Sequence, residues 1–182
     1  MRTLSGNPSP IWILVVLVAV TAPSVCMAQE EVEAPEGFAR HKINVSVGYT
    51  HIPEGADHVD DEKGIWVFTL GVDYLYRLNE KWLVSGVVDV EFGDYLVIDQ
   101  DLGRENATVV AALGVYEVME NWGVFAGGGV EFEQHRNLAL IRIGTEYAFP
   151  LGGGWTIVPN ILADIKQEFN SYALAVAVGR WF

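Results

Sequence analysis

From Lys42 to Phe182 the chain alternates between two kinds of residue. Ile43, Val45, Val47 and Tyr49 are separated by Asn44, Ser46, Gly48 and Thr50. The same period of two returns at Trp66, Phe68, Leu70, Val72, Tyr74 and Tyr76, and again at Trp82, Val84, Gly86, Val88, Val90 and Phe92. Successive side chains of a strand point to opposite faces, so this pattern predicts sheet with two unlike faces. No stretch of any length keeps a helical period. Carried to the end, the alternation predicts eight strands, over roughly 42–52, 64–77, 81–93, 107–118, 122–133, 138–149, 155–166 and 171–182. These exceed the ~5–6 residues usual in soluble sheets. They match the ~9–11 residues that a tilted strand needs to cross a bilayer.

The strands form a repeat. Leu70-Gly71-Val72-Asp73-Tyr74 returns as Ile143-Gly144-Thr145-Glu146-Tyr147 and as Val178-Gly179-Arg180-Trp181-Phe182, while Trp82, Trp122 and Trp155 each open a strand of the same phase. The repeating unit is a hairpin. Its links Leu78–Glu80, Met119–Asn121 and Pro150–Gly154 are short, whereas Pro53–Lys63 and Asp94–Asn106 at the opposite end are longer and polar. Gln134–Asn137 and Gln167–Asn170, also at that end, are short. Gly152-Gly153-Gly154 lacks the Lys-Ser/Thr and helix of a phosphate loop and reads as a turn. Pro159 has no N–H to donate, so the seventh strand should carry a bulge or weakened pairing there.

Alternation alone does not say which face meets solvent, since a soluble eight-stranded barrel turns its apolar face inward. A soluble coat carries many mixed charges. Here the second face reads Asn44, Ser46, Gly48, Thr50, Thr69, Gly71, Ser85, Gly114, Gly123, Gly127, Gly129 and Gly144, small groups suited to a narrow interior. Aromatics gather at strand ends: Tyr74, Trp82, Trp122, Tyr147, Trp155 and Phe182 toward the short turns, and Trp66, Phe92 and Phe132 toward the other side. Two aromatic belts around an aliphatic band belong to a lipid-embedded barrel. The apolar face is therefore expected outside, and closure leaves no unpaired backbone in lipid.

On these residues the chain resembles the small eight-stranded Gram-negative outer-membrane proteins of the OmpA/OmpX-like class, the outer-membrane β-barrel domain family, over about residues 42–182. The resemblance implies an all-β, eight-stranded antiparallel up-and-down transmembrane β-barrel in the outer membrane, in contact with outer-membrane lipid and lipopolysaccharide. Its most specific mark is the last strand, Tyr172-x-Leu174-x-Val176-x-Val178-x-Arg180-x-Phe182. In that family such a strand is read by the barrel-assembly machinery. Arg180 departs from the pattern, and its apolar stem can snorkel at the rim.

With the apolar face outward, Asp73, Arg77, Asp89, Glu91, Glu131, Glu133, Arg142, Glu146, Asp164 and Lys166 point into the lumen. Eight strands leave an interior just wide enough for side chains to fill, so a plug of paired charges is the favoured reading. The alternative is a narrow cation-preferring conduit, since acids outnumber bases there. A third reading is enzymatic, because some barrels of this kind modify lipid A. It needs a nucleophile beside a base, and His41, His51, His58 and His135 stand in no short Ser motif. His51 and His58 with Asp57, Asp60 and Asp61 read as a solvated acidic loop rather than a metal site. Nothing calls for a cofactor. Tyr95, Leu96, Val97 and Ile98 form an apolar patch between acids, either a contact site or a strand extension beyond the membrane.

Composition then falls into place. The chain is 51% hydrophobic with 19 Gly and 6 Trp, and it carries a formal charge of −13, which argues against nucleic acid as partner. Residues 1–28 have the layout of a cleaved secretory signal: Arg2, the apolar run Ile11–Val20, then Pro23, Ser24 and Cys26-Met27-Ala28 before Gln29. The run is shorter than the ~20 residues of a spanning helix. Pro23 and Val25 do not fit a lipoprotein signal around Cys26, the chain's only cysteine. Residues 29–41 read as an acidic lead-in, and 42–182 as the barrel.

Overall fold

The computed structural model describes residues 39–56, 64–97, 102–133 and 136–182. The predicted signal segment and most of the acidic lead-in lie outside them, as do Asp57, His58, Asp60, Asp61, Ile98 and His135. Eight long strands form the wall: β1 (His41–Ile52), β3 (Ile65–Arg77), β4 (Trp82–Phe92), β7 (Thr108–Met119), β8 (Trp122–Phe132), β9 (Leu138–Tyr147), β11 (Trp155–Lys166) and β12 (Asn170–Trp181). The short β10 (Phe149–Gly152) prolongs β9 beyond Ala148. All eight predicted strands are present, with ends within two residues except where the sixth is divided at Ala148.

Every neighbour pair is antiparallel, and β9–β11 and β1–β12 pairing closes the ring. Lys42 lies opposite Trp181, and the seam ends with reciprocal hydrogen bonds, His41 N to Phe182 O (3.2 Å) and Phe182 N to His41 O (2.8 Å). The three glycines of the β10–β11 turn have φ of 91°, 58° and 80°, a run of left-handed positions that non-glycine residues adopt only with strain. The β9–β11 ladder pairs residues up to Asn160–Glu146 and resumes as β10–β11 at Ile157–Phe149, skipping Val158 and Pro159. Pairing is thus weakened at the proline, with the register unchanged.

The outside is aliphatic in the middle and aromatic at the ends. Val45, Val47, Ile141, Ile161 and Leu174 are each about half exposed or more. Left in water, such a surface would forfeit on the order of 1 kcal/mol per half-exposed side chain. In hydrocarbon it costs nothing, and the closed ladder satisfies the backbone. Tyr74, Trp82, Trp122, Tyr147, Trp155 and Phe182 are exposed at the short-turn end. Trp66 and Phe132 are exposed at the other, where Phe92 packs on Phe68 with centroids 5.9 Å apart. Arg180 lies outside, over the Trp155 ring at 5.5 Å.

Inside, two expectations need correction. Gly114 is on the outer face: its neighbours Leu113 and Val115 are buried in the lumen, and a side chain at 114 would point toward Trp82. The interior is also far from uniformly polar. Leu75, Leu83, Val87, Ala111, Leu113, Val115 and Phe125 pack together within it, from β3, β4, β7 and β8. Opposite them, β1, β11 and β12 bury Lys42, Asn44, Ser46, Thr50, Asp164, Lys166 and Ser171. The hydrophobic cluster lies toward the short turns, and farther along the same β4 and β8 bury Asp89, Glu91 and Glu131.

The predicted Asp94–Asn106 loop is a continuation of the β4–β7 hairpin. Its arms β5 (Asp94–Val97) and β6 (Leu102–Glu105) pair with each other, and β2 (Gly55–Ala56) adds a third strand. Of the two readings of the Tyr95–Ile98 patch, Tyr95–Val97 belong to a strand extension, and Ile98 lies outside the described residues. Tyr95 and Val97 bury themselves with Ile52, Val67, Leu102, Leu138 and Phe169.

Candidate functional site

The candidate site is the lumen, whose charged side chains are stacked by strand phase. Beginning at the short-turn end, Arg77 donates two hydrogen bonds to Glu117, Nη1 to Oε2 at 2.9 Å and Nη2 to Oε1 at 2.8 Å. The Arg77 guanidinium also lies 4.6 Å from the Trp181 ring, and Lys42 Nζ 5.4 Å from it. One cation–π contact of this kind contributes ~0.5–2 kcal/mol according to its exposure. Trp181 points inward here, unlike the belt tryptophans, because it falls on the inner phase of β12.

Above this layer Asp73 lies opposite Asn44, and Glu146 opposite Asn160. Next comes Arg142, paired across the strands with Asp164. Its Nε and Nη2 donate to Asp164 Oδ1 and Oδ2 at 2.7 and 2.8 Å, and its Nη1 donates to Asp89 Oδ2 at 2.5 Å. Glycine makes room for this layer, since a side chain at Gly71 would occupy the space of the Asp89 carboxylate. Around the Arg142 layer is a cavity of about 60 Å³, lined by Leu75, Leu113 and Phe125 and by Asp73, Glu146 and Asn160, and reaching Glu91 toward the longer loops. A water needs ~10–15 Å³ of such space, so it has room for a few.

Toward the longer loops Lys166 Nζ lies between Glu91 Oε1, at 3.6 Å, and Glu131 Oε2. Arg104, carried by β6, folds over the mouth. Its Nη2 meets Glu131 Oε1 at 3.0 Å, and Nη1 meets Glu133 Oε2 at 3.5 Å and donates to the Arg136 carbonyl at 2.5 Å. The Phe169 ring has Lys166 Nζ at 4.5 Å and the Arg104 guanidinium at 5.9 Å. The Tyr95 hydroxyl donates to Glu91 Oε2 at 3.2 Å. Burial first, then the nearby Glu91 charge, raises the Tyr95 phenol well above its ordinary value, so it stays a donor.

All ten predicted lumen charges therefore face the interior. Asp89, Arg142 and Asp164 form one group, Glu91, Glu131, Glu133 and Lys166 form another with Arg104, and Arg77 stands at the far end with Glu117. Asp73 and Glu146 border the cavity. Lys42, Arg104, Glu117, Tyr95, Phe169 and Trp181 are additions. For Glu117 and Trp181 the signal was the inner phase of their strands; for Arg104 it lay in a segment read as loop.

The histidines make other contacts. His41 Nδ1 is 2.5 Å from the Tyr74 hydroxyl and its ring stacks on Phe182, while His51 lies on Trp66 with centroids 4.7 Å apart. Among the described residues no group of three or more His, Cys, Asp or Glu side chains is arranged to hold a metal ion.

No protein-family model matches the chain. No curated protein matches it either. Solved structures do. Neisserial surface protein A superimposes with a TM-score of 0.55 at 8% identity, covering 78% of this chain and 97% of that one. Ail, the attachment invasion locus protein of Yersinia pestis, in complex with the heparin analogue sucrose octasulfate, gives 0.52 at 15% identity, covering 79% and 99%. A second Ail structure gives 0.50 at 14% identity with the same coverage. At these identities the likeness is one of fold: the chain is an eight-stranded barrel of the kind formed by small outer-membrane proteins.

Proposed function

We propose that this chain is an integral protein of the Gram-negative outer membrane, exported through a cleaved signal peptide, with a structural or surface-interaction role and a closed lumen. The observation that carries the reading is the cap at the mouth. Arg104, Tyr95 and Phe169 close over the Lys166–Glu91–Glu131 group, and the Arg142 layer forms a second barrier below. An interaction surface then lies on the three-stranded sheet outside, where Asp94 and Glu105 are exposed. Those acids, with a net charge of −13, favour a basic partner over a polyanion.

The outer face, with Tyr172, Leu174, Val176, Val178 and Phe182 all exposed along β12, is suited to lipid and lipopolysaccharide, and to recognition of that strand by the assembly machinery. A role without a catalytic cycle fits His41 and His51, whose rings are engaged by aromatic neighbours. A second reading, a narrow cation-preferring pore, draws on the excess of acids over Lys42, Arg77, Arg104, Arg142 and Lys166 in the lumen. Planar-bilayer conductance of the refolded chain decides between them. The sealed reading expects no current above background, and a steady cation-selective current overturns it.

A further inference from the structure

The β5–β6 hairpin is set on a break in the wall. The last wall pair of β4 and β7 is Val90–Thr108, and the first pair of the hairpin is Asp94–Glu105. Glu91–Gly93 on one arm therefore face only Asn106 and Ala107 on the other, and an extra residue of this kind bends a ladder. Asn106 takes a left-handed φ of 48°, and the arms are joined there by Glu91 N to Ala107 O (2.8 Å) and Asn106 N to Gly93 O (2.9 Å). Beyond the bend, β2, β5 and β6 form a sheet of their own, separate from the ring. Its underside buries Tyr95, Val97, Leu102 and Arg104 over the mouth, while Asp94 and Glu105 face out.

The groups that hold the Arg104 guanidinium come from other parts of the chain. Glu131 lies on β8, Glu133 and the Arg136 carbonyl belong to the link that follows it, and the Phe169 ring precedes β12. Two carboxylates, a carbonyl and an aromatic face make a receptor for a guanidinium in general, since its planar fork matches all of them. The fit of Arg104 is incomplete, because its buried Nε has no hydrogen-bond partner. Asp94 and Glu105 are directly opposite on the outer face, a like-charge pair that a basic partner relieves.

We propose that the β5–β6 hairpin is a hinged lid latched from within: Arg104 fills a guanidinium site at the mouth, and a guanidinium group from outside that takes its place holds the lid open. Tyr95, Val97 and Leu102 keep the closed lid the resting state, through their packing with Ile52, Val67, Leu138 and Phe169. The site is covered when the lid is shut, so an external guanidinium binds only the open form and shifts the population toward it. An arginine side chain of a basic partner has this chemistry. The proposal deepens the closed-mouth reading and rests on it.

The test is amide hydrogen exchange of the refolded protein in phosphatidylcholine nanodiscs, read by NMR at β5 and β6 with the wall strands as reference. The titrants are methylguanidinium, methylammonium and urea, at up to ~10 mM, where Kd values in the mM range register. In the parent, methylguanidinium competes with Arg104, and exchange in β5 and β6 should rise severalfold and saturate. In Arg104→Ala exchange should start about tenfold faster than in the parent, and methylguanidinium, by filling the vacated space, should slow it again. Methylammonium lacks the planar fork and urea lacks the charge, so neither should reproduce these opposite effects. Arg104→Lys keeps the charge, and its lid should remain looser than the parent's. Effects of the same sign in parent and Arg104→Ala, no effect in either, equal effects of the three titrants, or an Arg104→Lys lid as tight as the parent's would each overturn the proposal. Bilayer current tests the sealed lumen and exchange tests the latch, so the two readings fail separately.

Discussion

Replacing Arg142 with Met keeps an unbranched four-atom stem and removes three hydrogen bonds donated to two carboxylates. Asp164 loses both of its contacts and Asp89 loses one of 2.5 Å, while Arg142 and Asp164 are almost wholly buried. The two acids then face each other across a lumen that has little water to offer. Removing one partner of a buried ion pair typically costs ~3–5 kcal/mol, chiefly from the charge left uncompensated. Replacing the whole group by apolar side chains is often neutral or stabilising. Arg142→Met is therefore expected to lower stability by about 4 kcal/mol. The triple variant Arg142→Met, Asp89→Leu, Asp164→Leu should return to within ~1–2 kcal/mol of the parent, since Leu75, Leu113 and Phe125 already provide apolar surface beside the layer to pack against. Equilibrium urea unfolding in lipid vesicles, followed by tryptophan fluorescence, measures both. With a slope near ~2 kcal/mol per M, the single variant shifts the midpoint down by about 2 M. A single variant within ~0.3 M of the parent, or a triple variant as unstable as the single, would refute the claim that this layer is held by paired charge.

Arg104→Gln removes the cation at the mouth and leaves Glu131 and Glu133 without it; the cap should loosen, read as faster amide exchange in β5 and β6 with the wall strands unchanged. Phe169→Ala deletes a buried ring from the cap cluster and should cost ~3–5 kcal/mol locally, seen as exchange and proteolysis at the β5–β6 hairpin while heat-modifiable gel migration of the barrel persists. Tyr95 gives a pH dependence. Its folded value is raised, whereas the unfolded chain releases the proton near pH ~10, so above that pH the unfolded state binds fewer protons and stability falls. Absorbance at 295 nm should show one tyrosine resisting ionisation in the folded protein, and Tyr95→Phe should remove that component of the alkaline slope. Gly144→Val should hinder refolding, because a side chain there would meet the Phe125 ring and the Ile161 carbonyl; full refolding yield would argue against close packing at that point.

The wall was legible because lipid demands an apolar outer phase over ten or more residues, and β1, β3, β4 and β12 provide it against small or polar inner positions. Legibility failed where both phases are apolar. In Val109-Val110-Ala111-Ala112-Leu113-Gly114-Val115 no polarity marks the inside, so size alone points to Gly114, whereas Leu113 and Val115 fill it. The acids and Arg142 were legible as lumen groups because lipid forbids the other face. Their partners were less so. Lys42 stands at the very start of the pattern, and Arg104 reaches the mouth only because β6 folds over it, a long-range placement that local alternation does not encode.

The reciprocal hydrogen bonds between His41 and Phe182 make the ladder a ring, and a ring has no privileged starting strand. Every other wall pairing joins strands consecutive along the barrel chain, whereas Lys42 finds Trp181 only across nearly the full barrel sequence. That seam carries the largest loop-closure entropy and is the last to zip. Linking residues 41 and 182 and cutting at Gly152–Gly154 would turn this seam into a hairpin and move the late closure to β9–β11. The finished cylinder would be the same, reached in a different order.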